Sequence, residues 1–376
     1  MLKRIGYKPI SVREVLEQIK DNTGLMLDLA YYAFISSDKD IAEVVLQLEK
    51  DVDYLSNLLL MSASLAVRDP KDAEEMLSLI KIALASDKIS NAAADIANLP
   101  LIGITPDPAI KEALNETDEV VKGVRVEKGS PLIGKKVGDI KPGIDVIALK
   151  TDRVIVVNPD DEEKIGEGTY LIVRGQREVI EGVKEHREAG VKTFAVKDYI
   201  VKLKDTAELM VDLAYTSVLL NSKEIAEEVA KLENYVDELH KEFELTVLRK
   251  REVDEKGMLS LIRFAIAIEQ IADAAFEIAE LVLRGLPPHP LLARIFEETE
   301  ETLVKVKVKK DSSIAGKTVG SADLEGKVGF KILAIRRGRK WIINPGDDVE
   351  IKEGDVLILK GFTKEKIGLL RFISPR

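Results

Sequence analysis

Leu25-Met26-Leu27-Asp28-Leu29-Ala30-Tyr31 and Leu209-Met210-Val211-Asp212-Leu213-Ala214-Tyr215 are one heptapeptide written twice, 184 positions apart and differing at a single residue. Working outward from it, Ile41-Ala42-Glu43 returns as Ile225-Ala226-Glu227, and Leu77-Ser78-Leu79-Ile80 as Leu259-Ser260-Leu261-Ile262. Further along, Gly134-Lys135 returns as Gly316-Lys317 and Asn158-Pro159 as Asn344-Pro345. Matches that keep their order while the offset drifts by a few residues are the mark of a tandem duplication. The chain is therefore two copies of one unit.

Each copy opens with helices. Ile41, Val44, Val45, Leu48, Val52 and Leu55 recur at helical spacing, as do Ile82, Ala85, Ile89, Ala93 and Ile96, repeated as Phe264, Ala267, Ile271, Ala275 and Ile278. Ser37 with Asp40, and Asn221 with Glu224, read as N-cap and N3 residues of the second helix of each copy. Pro100 and Pro287-Pro288 break the pattern afterwards. Three helices with short connections predict an antiparallel bundle. The remainder of each copy is β-rich. In the second it comprises a hairpin around Arg337-Gly338, a turn at Asn344-Pro345, a strand from Val356 to Leu359 and a closing helix, and the first copy keeps the same order. The expected fold is α+β and multidomain, two three-helix bundles alternating with two small β-rich domains, divided at 1–121, 122–193, 194–303 and 304–376.

Composition narrows the function. The 376 residues contain no cysteine and three histidines (His186, His240 and His289), which leaves no thiol chemistry and little for histidine catalysis or zinc. No run behind Met1-Leu2-Lys3-Arg4 reads as a signal peptide, and the longest uncharged helical stretch, Tyr54 to Val67, is too short to span a bilayer. A cytoplasmic protein with no membrane insertion is expected. The net charge of −10 is uneven: the helical parts sum to −19 and residues 304–376 to +8. No face-wide basic surface for nucleic acid is implied. There is no Gly-x-x-x-x-Gly-Lys-Ser/Thr loop, Gly-x-Ser-x-Gly elbow or His-Glu-x-x-His, so no enzyme is expected. His240 is expected on the surface and His289 in a loop.

The helical parts, with Leu-Ala-Tyr in the first helix and Glu-x-x-x-Asp in the second, resemble PhoU modules. The β-rich parts resemble the C-terminal half of the RCK domain, or TrkA-C: residues 129–135 read Gly-Ser-Pro-Leu-Ile-Gly-Lys, and Glu353-Gly354-Asp355 leads into a strand. The first copy departs with Gly168-Thr169, and Thr151 stands where Arg337 stands. The resemblance implies a regulator of potassium or related cation transport, with a membrane transporter or channel subunit as partner. It also implies a small anionic ligand, such as a cyclic dinucleotide, bound beside the hairpin and Asn-Pro turn by Arg336, Arg337, Asn344 and Pro345, and by Lys150, Asn158 and Pro159 in the first copy. Arginine suits such a ligand because its planar fork donates charge-assisted hydrogen bonds to phosphate. A helical bundle takes the place of the Rossmann half, so NAD is not expected. A homodimer is expected, with the TrkA-C pairing within one chain or between two left open.

Carboxylates supply the other candidate site. Asp87, Asn91 and Asp95 line one side of a helix, as do Glu269, Asp273 and Glu277 in the second copy. Like charges four residues apart repel, so these columns need a cation, a base or solvent. PhoU proteins hold metal clusters with the Glu-x-x-x-Asp pattern. The resemblance carries this to Glu233, Asp237, Glu269 and Asp273, and to Glu49, Asp53, Asp87 and Asp95, where Asn91 departs. Oxygen donors suit hard ions such as Mg²⁺ or Mn²⁺. That opens a second reading, a phosphate-signalling or metal-binding regulator acting through its bundles.

Overall fold

A computed structural model describes residues 9–151, 154–181, 195–249, 254–338 and 340–374. His186, Arg153, Arg339 and the first eight residues lie outside that set. The first half runs α1 (Val12–Ser36), α2 (Lys39–Ala66), α3 (Pro70–Leu101), α4 (Pro108–Glu116), β1 (Glu119–Arg125), β2 (Ile144–Lys150), β3 (Ile155–Val157), β4 (Tyr170–Gln176) and α5 (Arg177–Glu181). The second repeats it as α6 (Val196–Leu220), α7 (Lys223–Arg249), α8 (Glu255–Leu283), α9 (Pro290–Glu298), β5 (Glu301–Lys307), α10 (Val319–Ala322), α11 (Leu324–Val328), β6 (Phe330–Arg337), β7 (Lys340–Ile343), β8 (Val356–Phe362) and α12 (Lys366–Ile373). Helices and antiparallel sheets make an α+β multidomain chain.

The expected caps are one residue early. Ser37 and Asn221 adopt left-handed conformations, φ 54° and 44°, and close α1 and α6. Asp38 caps α2 by accepting from the amides of Asp40 and Ile41, and Ser222 accepts from Ile225 at the start of α7. The tight turn needs one residue to end a helix and the next to begin one. Two expected boundaries also move, because 121/122 and 303/304 fall inside β1 and β5.

The apolar stripes are buried as their spacing requires, and the two bundles share one core. α3 lies against α8, joined by Lys81–Glu280 and Lys88–Glu277 ion pairs. Phe34 of the first bundle stacks on Phe264 of the second, centroids 5.9 Å apart. The two sheets have the same order, β1-β4-β2-β3 and β5-β8-β6-β7, with an irregularity at Val146/Ala148 and again at Ile332/Ala334. Each sheet keeps a small core of its own.

The two β-domains face each other within one chain. Glu365 accepts from the Gly143 amide at 2.8 Å, and Lys364 pairs with Asp145 at 2.8 Å. Gly143 and Gly329, both at positive φ, meet at this contact; a Cβ on Gly329 would collide with the Gly143 backbone and the Glu365 carboxylate. The bundles grip the opposite halves. Asp205 on α6 accepts from the Asp118 amide ahead of β1, and Asp21 on α1 accepts from the Glu300 amide ahead of β5.

Candidate functional site

On the second bundle, α7 and α8 bring three carboxylates together: one oxygen from each of Glu233, Asp237 and Asp273 lies within 4.8 Å of the others. Helical spacing stacks Glu233 and Asp237 one turn apart, and the α7/α8 contact brings Asp273 across. Burial pushes Glu269 beside them up to about 7, and the Asp273 and Asp237 charges push the same way. Glu233 and Asp273 are raised for the same two reasons, burial and then neighbouring carboxylates. Such a set of hard oxygen donors fits a divalent cation, whose charge would relieve the repulsion.

The first bundle solves the same problem differently. Burial and then the neighbouring carboxylates raise Glu49 and Asp87, but amides stand where the second copy has other groups. Asn57 donates to Asp53 at 3.0 Å and Asn91 to Asp87 at 3.4 Å. Asp95 is exposed on α3. Among the described residues the three-carboxylate grouping occurs only in the second copy. His240, at the position of Ser56, departs from its expected surface place. Its side chain is 15% exposed, 3.7 Å from Glu244, and its Nε2 is buried without a hydrogen bond.

The Asn-Pro turns each border a cleft. Asn158 and Asn344 have φ of 50° and 43°, and their backbone amides donate to Ile147 and Leu333 of the preceding strands. Asparagine tolerates this left-handed geometry, which accounts for its place in the turn. The cleft beside Asn344 and Pro345 holds about 440 Å³ and lies between the two β-domains. The one beside Asn158 and Pro159 holds about 460 Å³.

Two expected ligand donors, Arg337 and Lys150, are held by carboxylates, and a third, Arg336, lies against a ring. Arg337 donates to both oxygens of Asp355, at 3.0 and 2.8 Å, and to the Glu350 carbonyl at 2.6 Å. Arg336 lies over the Trp341 ring, 5.7 Å from its centroid. Lys150 binds Asp38 at 2.7 Å and Asp40 at 2.9 Å, fastening its hairpin to the α1/α2 turn. The clefts themselves are acidic. Asp21, Asp145, Asp160, Asp161 and Glu300 against Lys364 line the first, and Asp118, Asp323, Glu325 and Asp347 against Lys141 and Lys331 line the second. In both clefts the carboxylates outnumber the amines.

The sequence reading missed a lattice of charges where bundles and sheets converge. Arg174 on β4, 5% exposed, binds Asp28 of α1 at 2.6 Å, with Asp145 and Glu301 at 3.2 Å. Its counterpart Lys360 on β8 reaches Asp212 at 3.2 Å, Glu301 at 3.5 Å and Glu119 at 3.8 Å. Burial pushes Asp28 up to about 6 despite Arg174. Glu301 is held down near 2 by Lys360, Arg174 and Lys20, against the upward pull of burial. The available signal was an aspartate inside each apolar heptapeptide, and a cation ending Leu171-Ile172-Val173 and Leu357-Ile358-Leu359.

Parts of the chain match known protein families. The PhoU domain model matches residues 16–99 and 200–282, and the TrkA-C domain model residues 303–363. Probable potassium channel protein 2 of Methanocaldococcus jannaschii is 29% identical over 138 residues, 35% of this chain and 40% of that protein. The chain thus matches less than half the length of this relative. Among solved structures, PhoU from Pseudomonas aeruginosa is 15% identical with a TM-score of 0.41, covering 72% of this chain and 96% of that one. The GsuK channel bound to NAD is 14% identical with a TM-score of 0.20, covering 76% and 65%. Both scores are too low to speak for a shared arrangement. No helix among the described residues is long and apolar enough to cross a membrane.

Proposed function

Two PhoU domains and a TrkA-C domain make up most of this chain, and from that premise we propose a non-enzymatic regulator of cation transport that senses a divalent cation through its second bundle. The observation that carries the reading is the convergence of Glu233, Asp237 and Asp273 on one point between α7 and α8. The first β-domain, with the strand order of the second, is a diverged TrkA-C domain. The protein works in the cytoplasm on a separate membrane transporter or channel, a partner class supported by the potassium channel relative.

An anionic ligand is not carried forward. Arg337 and Lys150 are held in ion pairs with carboxylates of their own chain, and both clefts hold more carboxylates than amines. The grouping of Glu233, Asp237 and Asp273 favours a hard cation, so Mg²⁺ or Mn²⁺ takes the place of a cyclic dinucleotide as the proposed effector.

Calorimetric titration with Mn²⁺ tests this. The natural chain binds, Glu233→Ala with Asp237→Ala removes the heat of binding, and Glu49→Ala with Asp53→Ala leaves it nearly unchanged. Equal loss in both variants, or no heat in the natural chain, would contradict the proposal.

A further inference from the structure

We propose that each cleft between the β-domains opens and closes together with the bundle beneath it, through a clamp by which that bundle holds the first strand of the opposite half. The clamp on the Asn344 side starts at α6. Asp205 accepts from the Asp118 amide at 2.9 Å, and Lys204 donates to the Glu119 carbonyl at 3.2 Å. Asp118 then faces Lys331 of β6 at 3.5 Å. These groups border two adjoining cavities. One runs from Asn344 back to Asp205, Glu208 and Asp212 on α6; the other runs from Asn344 out to Pro345 and Asp347; Asp118, Gln176 and Lys331 line both. Asp118 is thus held between α6 on one side and Lys331 on the other at the point where the two cavities meet.

The Asn158 side repeats the plan with α1. Asp21 accepts from the Glu300 amide at 3.1 Å, and Lys20 donates to the Glu301 carbonyl at 2.7 Å and the Thr299 hydroxyl at 2.8 Å. Asn158 donates to Glu300 across the cleft, and Asp21 and Glu300 both line it. On the Asn158 side the bundle itself contributes Asp21 to the cleft wall, and on the Asn344 side α6 walls the adjoining cavity and reaches the cleft through Asp118. Packed elements held by hydrogen bonds and ion pairs move as discrete units rather than deforming continuously. On the Asn344 side α6 packs with α7 and α8, so the clamp ends on the bundle that carries Glu233, Asp237 and Asp273.

Amide hydrogen exchange of the full chain reads this without any ligand. Asp205→Ala is expected to speed exchange tenfold or more at the Gly320 and Val349 amides, which donate to Asp347 and Gly346 around the Asn344 turn. The Gly138 and Glu163 amides, which donate to Asp161 and Asp160 around the Asn158 turn, should be unchanged. Asp21→Ala should give the mirror image. In the natural chain, Asp118, Gly320 and Val349 should share one opening rate, and Glu300, Gly138 and Glu163 another, a comparison that needs no variant to fold. Acceleration confined to Asp118, equal acceleration at both turns, or opening rates that do not group this way would overturn the proposal.

Discussion

At the scale of single residues, Arg337 and Asp355 explain two departures at once. Where the second copy has this pair, the first has Thr151 and Thr169, so two separate mismatches in the sequence are one ion pair replaced by two hydroxyls. Asp355 is 1% exposed while Arg337 keeps a third of its side chain in solvent; the arginine serves the aspartate. Arg337→Ala should then cost about 2 kcal/mol in urea unfolding, because it leaves a buried carboxylate with only the Lys352 amide as donor. A loss below a few tenths of a kcal/mol would show the pair to be solvated. Reading Arg337 as a ligand donor was reasonable from sequence, since a guanidinium beside a turn looks alike whether it meets a phosphate or its own domain. Its partner lies 18 positions away, just ahead of β8, and only the sheet pairing brings them together.

Elements were the most legible level. Periodicity found the long helices and their buried faces because the apolar stripe is itself the cause of packing. Hairpin and turn residues found the sheets because left-handed positions restrict which residues fit. Strand edges were harder, and so were the charges within β4 and β8, whose partners lie on other elements. Those charges give a pH dependence with a definite sign. Burial raises Asp28 and Asp21 to about 6 and Glu208 to about 8, each against an opposing lysine or arginine. A carboxyl raised on folding binds more protons folded than unfolded, so stability falls as pH rises through that range. Glu301, held near 2, acts oppositely and loses its contribution only below its unfolded value, as pH falls towards 2. The thermal midpoint should therefore be higher at pH 6 than at pH 8.5 in the same salt. A flat or rising profile across that interval would show the lattice to be better hydrated than its burial implies.

For the whole molecule, duplication has produced two halves that look alike and are used differently. The pseudo-equivalent pairs diverge where chemistry would act: Asn91 against Asp273, Gly24 against Glu208, Asp145 against Lys331. The second copy groups three carboxylates, whereas in the first the amides of Asn57 and Asn91 donate to Asp53 and Asp87. That the two β-domains face each other within one chain was not legible, since nothing in either domain's sequence says which copy it meets. Electron paramagnetic resonance of Mn²⁺ added to the protein tests the central claim most directly. One ion per chain should lose its free-ion signal, and Asp273→Ala should restore that signal while Asp87→Ala does not. Free-ion signal undiminished by the natural chain, or restored equally by both substitutions, would contradict it.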